Sequence, residues 1–186
     1  MSAATGTVDR KMTREAYRSF CDDQVRGRFE RIDGVVIAMA PERGIHLKLK
    51  GNVYVALRRA IGTAGVQCQA LPDGATIQAG DSDYEPDATV NCGEPMDNDA
   101  IAAPNPVIVA EVLSPSTRTV DTSRKLAGYF LVPSIAHYLI VSPDRRCIVH
   151  HRRTPDGIAT AIVTAGQIEL QPPGLTITLD EIYDPA

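Results

Sequence analysis

Two carboxylates and one lysine carry the chemistry that this chain's residue types allow. Asp87 closes the tripeptide Glu85-Pro86-Asp87. Glu111 lies inside the apolar run Val107–Leu113, and Lys125 falls on the helical segment that follows. A carboxylate within a run of valine, isoleucine and leucine is costly unless it is paired or binds a metal. Two such carboxylates with a lysine are the parts needed to hold a divalent cation and activate a water. The chemistry this predicts is metal-dependent phosphodiester hydrolysis.

Each residue also has a plainer reading. Pro86 disfavours helix at Glu85 and cannot donate a strand hydrogen bond, so Asp87 is expected at a strand start, at a sheet edge or bend. Pro-Asp pairs also begin turns, as at Pro72-Asp73 and Pro155-Asp156. Along Val107–Leu113 the alternation turns Val107, Val109, Glu111 and Leu113 one way and Ile108, Ala110 and Val112 the other. Both faces are apolar, so the strand is covered on both sides and its glutamate must find a partner. That partner is either a metal or a lysine or arginine of a neighbouring helix. Lys125 follows after a Ser-Pro-Ser-Thr turn and the first turn of a helix, so its ammonium can reach the strand's C-terminal end. There it would orient an attacking water and steady charge on a phosphate. On an exposed helix face it would instead pair with Asp121, four residues earlier.

The elements that must position these residues follow from pattern. Residues 1–12 are small and polar without period and read as a disordered tail. Thr13 is placed to cap a short helix with Glu15 in its first turn. Asp33-Gly34 supplies a tight turn between the strands Phe29–Ile32 and Val35–Met39. An amphipathic helix spans about 43–61, with Ile45, Leu49, Val53, Leu57 and Ile61 recurring every four and Gly62 at its expected end. Short strands follow at Val66–Leu71, Ala75–Ala79 and Ala88–Asn91. A Gly-, Pro-, Asn- and Asp-rich loop, Cys92–Pro106, leads into the buried strand Val107–Leu113. A second helix, about Val120–Leu131, presents Leu126, Tyr129 and Phe130 on its apolar side. Strands are then predicted at His137–Val141, Arg146–His151, Ala159–Thr164 and Leu175–Leu179, with a short turn closing the chain. Strands mixed with two substantial helices define a mixed α/β class, and residues 13–186 read as one domain.

Composition narrows the field. The 186 residues suffice for one domain with a sizeable core. A net charge of −4 disfavours a protein that coats nucleic acid non-specifically, while leaving room for a local basic groove. The start of the chain lacks a signal peptide's apolar core, and no apolar run approaches a membrane span, so a cytoplasmic protein is expected. The four cysteines, Cys21, Cys68, Cys92 and Cys147, form no Cys-x-x-Cys pair and are expected to be free thiols rather than zinc ligands. No Gly-x-Ser-x-Gly elbow and no Walker-type phosphate loop is present.

A wider pattern resembles a known family. It comprises Phe29-Glu30-Arg31-Ile32-Asp33-Gly34, then His46 opening a helix, then Glu85-Pro86-Asp87. Glu111-Val112-Leu113-Ser114-Pro115-Ser116-Thr117 follows, then Asp121-x-x-x-Lys125-Leu126-x-x-Tyr129 and His137-Tyr138-Leu139-Ile140-Val141. Together these are similar to the Uma-two family, restriction-endonuclease-like proteins within the PD-(D/E)xK nuclease superfamily. The resemblance runs from about residue 13 to 184. It implies a restriction-endonuclease-like core, a central mixed sheet flanked by helices. It implies Mg²⁺, with Mn²⁺ as a substitute, held by Asp87, Glu111 and the Val112 carbonyl, since hard oxygen ligands suit these ions. The lysine that the superfamily places two residues after the glutamate is Leu113 here, so Lys125 would take that role. Glu30 would add a catalytic carboxylate and His46 a substrate contact. The first reading is therefore a DNA endonuclease, and a homodimer is expected, since duplex cleavage needs two sites and the apolar strands after residue 135 could pair across a two-fold axis. The competing reading is a nuclease fold retained as a binding or assembly module without turnover, for which the acidic charge and displaced lysine leave room.

Overall fold

The structure is a computed structural model and describes residues 7–24, 26–113 and 121–185. Its centre is a mixed six-stranded sheet. The strands are β4 (Cys68–Pro72), β7 (Ala88–Cys92), β8 (Pro106–Val112), β9 (His137–Val141), β10 (Ile148–Thr154) and β11 (Gly157–Val163). They lie in the order β11-β10-β9-β8-β7-β4. The β8–β9 pair is parallel and the others are antiparallel. A parallel pair needs a crossover, and here helix α3 (Asp121–Tyr129) lies in that connection.

The alternation read along this run is what the sheet shows from Ile108 to Leu113, while Val107 joins the same core as Ile108. Ile108, Ala110 and Val112 face a core shared with Leu49, Val53 and Leu57 of α2 (Gly44–Ala64), with Ile177 of β13 (Leu175–Thr178), and with Ile182 of α4 (Leu179–Tyr183). Val109 faces a second core with Tyr129, Tyr138 and Ile140. That second layer is closed by a five-stranded sheet, ordered β1-β3-β2-β6-β5. Its members are β1 (Thr7–Lys11), β2 (Phe29–Ile32), β3 (Val35–Ala38), β5 (Ile77–Ala79) and β6 (Ser82–Tyr84). β12 (Gln167–Leu170) pairs with β13 apart from both sheets. Glu111 therefore sits on a strand covered on both sides.

Local chemistry explains several boundaries. Helix α1 (Arg14–Asp23) begins where Thr13 accepts from the Ala16 N–H. Asp33 and Gly34 both take positive φ, 51° and 81°, as the tight turn of the β2–β3 hairpin requires.

Three expectations need correction. Residues 7–11 of the expected tail form β1, because they find a partner edge on β3; residues 1–6 lie outside the described residues. Helix α2 runs through Gly62 to Ala64 and stops at Gly65, whose left-handed conformation lets its N–H reach the Ile61 carbonyl. Asp87 stands at a bend just before β7, as expected, and β7 is an interior strand between β4 and β8. Cys68 and Cys92 are directly opposite one another on β4 and β7 and are joined in a disulfide, whereas Cys21 and Cys147 are free. Sequence spacing carries no information on strand register, so that pairing was hidden. The Ser114–Thr117 turn lies outside the described residues.

A buried histidine pair gives the fold a pH dependence. His137 Nδ1 lies 2.9 Å from His150 Nε2, and His137 Nε2 lies 2.9 Å from the Pro172 carbonyl. Burial depresses His137 to about 4, and burial together with His137 does the same to His150. An exposed imidazole titrates near 6.5. The unfolded chain thus binds more protons between these values, and stability falls as pH drops from about 6.5 towards 4. A decrease in melting temperature of about 5 °C from pH 7 to pH 5 is expected. His150→Asn should flatten that slope, and an unchanged slope in the variant would remove the histidines as its cause.

Candidate active site

Glu30, Glu111 and Lys125 come from three elements and meet within the structure. Glu30 lies on β2 and Glu111 near the end of β8. Lys125, in the middle of α3, donates to Glu30 Oε1 at 2.9 Å and reaches Glu111 Oε1 and Oε2 at 3.0 and 3.1 Å. The Tyr129 hydroxyl, one helical turn on, donates to Glu111 Oε1 at 2.5 Å. Spacing of four residues places Lys125 and Tyr129 on one face of the helix. Gly128 lets that face sit close. A Cβ there would lie 2.1 Å from the Tyr84 hydroxyl of β6, so any larger residue would push α3 outward. The roughly 1 kcal/mol that a helical glycine costs is the condition for this approach.

The other half of the site is built on the start of β7. Ala88 pairs with Ala110, so Asp87 and Glu111 stand at the next step of adjacent strands, where directly opposed side chains share a face. The Val112 N–H donates to Asp87 Oδ2 at 2.6 Å. Asp87 Oδ1 is 2.9 Å from Lys50 Nζ of α2. Lys50 also lies 2.7 Å from Glu42 and 2.9 Å from Asp73. The Val112 carbonyl lies 2.5 Å from His46 Nε2, which makes that nitrogen the N–H donor. His46 Nδ1 is buried without a hydrogen-bond partner, with Glu42 Oε2 at 3.5 Å. The two halves are tied by the Glu85 N–H, which donates to Glu30 Oε1 at 2.8 Å.

Electrostatics mark this cluster as crowded with negative charge. Glu30 is 5 % exposed, and burial pushes its carboxyl up to about 7 against the pull of Lys125, with Glu111 adding to the rise. Burial raises Asp87 too, partly offset by Lys50, and Glu111 again contributes. Burial works against the Lys50 ammonium, yet Asp87, Glu42 and Asp73 outweigh it and hold its pKa above the usual lysine range. Burial, with Glu111 next, drives Tyr129 far above the usual phenol range, so it remains a donor.

The donor types suit a hard divalent cation: two carboxylates on adjacent strands and a carbonyl next in chain. Among the described residues no three His, Cys, Asp or Glu side chains are grouped so as to hold a metal by themselves. Mg²⁺ does not require that. It is commonly bound through one or two carboxylates, keeping waters and taking substrate phosphate oxygens for the rest. The residues present fit such an ion, with Lys50 and Lys125 resting on the carboxylates it would use.

All of the residues singled out from the sequence fall in this region. Lys125 joins Glu30 and Glu111, Asp87 stands beside Glu111 on the neighbouring strand, and His46 lies on the Val112 carbonyl, with 8 % of its surface exposed. The spacing argument overlooked Lys50, Tyr129, Glu42 and Asp73. A signal for Lys50 existed. His46 and Lys50 fall on the stripe of α2 that buries Leu49, Val53 and Leu57, and polar residues on a buried stripe need partners.

The fold belongs to a structural class that contains a nuclease-fold crystal structure. That structure, titled a "putative nuclease belonging to DUF820" from Anabaena variabilis, matches with a TM-score of 0.73 at 14% identity, over 92% of this chain and 97% of that one. The chain belongs to the Uma2 family, described as "Putative restriction endonuclease", whose model matches residues 14–180. Two proteins of Synechocystis sp., each described as uncharacterized, are similar. One is 28% identical over 73% of this chain and 77% of its own length, and the other 27% identical over 93% and 92%. Family and fold place the chain among restriction-endonuclease-like nucleases. Among the described residues no helix is long and apolar enough to cross a membrane.

Proposed function

We propose that the protein is a Mg²⁺-dependent endonuclease that hydrolyses DNA phosphodiester bonds, with Mn²⁺ able to replace Mg²⁺. The observation that carries this reading is the contact of Lys125 with Glu111 at 3.0 Å beside Asp87 on the neighbouring strand. It supplies in space the lysine that Leu113 does not supply in sequence. Asp87, Glu111 and the Val112 carbonyl would hold the cation. When bound, that ion polarises the scissile phosphate and acidifies a water.

The chain's own groups do the positioning. The His46 Nε2–H fixes the Val112 carbonyl and so orients that donor. The Val112 N–H and Lys50 fix the two oxygens of Asp87. Glu30 and Glu111 hold the Lys125 Nζ, whose positive charge would steady charge on the phosphate and on the attacking water. The water oxygen bonds to phosphorus as the P–O3′ bond breaks, and the leaving O3′ takes a proton from solvent. Glu30, its carboxyl raised to about 7 and in contact with Lys125 at 2.9 Å, would take a proton from the Lys125 ammonium as that amine takes the water's.

The test is nicking of supercoiled plasmid and cutting of a single-stranded oligonucleotide by purified protein in Mg²⁺ or Mn²⁺. Cutting that stops with chelator and returns with added ion is the expected result. No cutting under any of these conditions, with the ion still bound, would replace the enzyme with a silent binding module. A homodimer would bring two such sites to a duplex.

A further inference from the structure

β11 is an edge strand without the features that keep sheet edges from pairing. It runs Gly157-Ile-Ala-Thr-Ala-Ile-Val163, with no charged residue and no proline, and holds seven consecutive pairs with β10 without a break. Its first six residues are exposed, Ile158 by 45 % and Ile162 by 71 %. Open edges in native proteins are blunted by proline, charge, bulges or brevity. The other edges of the two large sheets follow that rule. β4 ends on Pro72, β5 has three residues, and β1 carries Lys11 with a register irregularity against β3. An uncharged edge of this length, uncovered by any other described strand, is a template for another strand.

We propose that β11 pairs antiparallel with β11 of a second copy, about a two-fold axis through Thr160. The sequence is self-complementary about that residue. Ile158 of each copy falls opposite Ile162 of the other, Ala159 opposite Ala161, and Gly157 opposite Val163. Matching of outward-facing N–H and C=O groups allows only axes that pass through a residue, not between two. Moving the axis to Ala159 would set Ile162 against Asp156. Moving it to Ala161 would set Ile158 against Thr164. Thr160 is the axis that opposes isoleucine with isoleucine at both ends and brings no two like charges together. Cross-strand β-branched pairs of this kind stabilise an antiparallel pair. The two six-stranded sheets then become one continuous sheet. This inference rests on the strand and not on the nuclease reading, so neither test decides the other.

The experiment is sedimentation equilibrium over a range of concentrations, with cysteine cross-linking in a Cys21→Ser/Cys147→Ser background that keeps the Cys68–Cys92 disulfide. The wild type should sediment at twice the 20.0 kDa chain mass. Ile162→Lys, whose side chain is largely exposed, should be monomeric at the same melting temperature. Thr160→Cys should form a covalent dimer on mild oxidation. Ile158→Cys alone should not, but should cross-link when mixed with Ile162→Cys. A monomer at every concentration overturns the proposal. So does a dimer that survives Ile162→Lys, or cross-linking of Ile158→Cys as fast as Thr160→Cys.

Discussion

Glu111→Gln is expected to abolish ion-dependent DNA cleavage while leaving the protein folded. The amide keeps the side chain's size and an oxygen that can accept from Tyr129 and Lys125. It removes the negative charge that a divalent cation requires. Loss of a transition-state stabilising group in a preorganised site costs on the order of 10²–10³ in rate, and loss of an ion ligand sets the expectation at the upper end. Stability should change little. The neutral amide relieves the repulsion that Glu111 exerts on Glu30 and Asp87, and Lys125 still has Glu30 at 2.9 Å. The measurements are plasmid cleavage rate and melting temperature for wild type and variant side by side. A variant that cuts at more than a tenth of the wild-type rate would remove Glu111 from the site.

Lys125→Met is expected to be the most destabilising single change at the site. Lys125 is 4 % exposed, and its ammonium lies within 3.1 Å of three carboxylate oxygens on two elements. Methionine fits the space and leaves buried Glu30 beside part-buried Glu111 without that charge. Removing one partner of a buried pair costs about 3–5 kcal/mol, which for a chain of this size lowers the melting temperature by about 10 °C. Glu30→Gln in the same chain should recover part of the loss, because one uncompensated carboxylate disappears. A thermal melt of the wild type, both single variants and the double variant gives the coupling energy directly. Additive effects, with no recovery, would show that the contact holds nothing together. Cleavage should fall in Lys125→Met as well, and restoring stability through Glu30→Gln should not restore cutting.

Much of the architecture follows from local pattern. The alternation along residues 107–113 predicted a strand buried on both faces, and the structure places two separate cores there. Asp33-Gly34 dictated its turn, because both residues accept positive φ and few others do. The end of α2 lies a few residues beyond Gly62, since a glycine can continue a helix and the left-handed cap that closes this one is Gly65. β6 and β12 are short and poor in β-branched residues, and their sequences gave little to read.

The chain by itself determined which groups have a chemical burden. A glutamate amid valines and isoleucines must be compensated wherever the chain folds, because the cost of burying charge is a property of the residue and its neighbours. What compensates it was decided by tertiary structure. Lys125 meets Glu111 because the β8–β9 crossover returns α3 to the sheet, and because Gly128 lets Tyr84 approach that helix. Lys50 meets Asp87 because α2 packs across β7 and β8. The Cys68–Cys92 disulfide exists because strand register sets those residues opposite one another. Contacts 14 to 95 residues apart depend on register and layer packing, which nearest-neighbour chemistry does not encode.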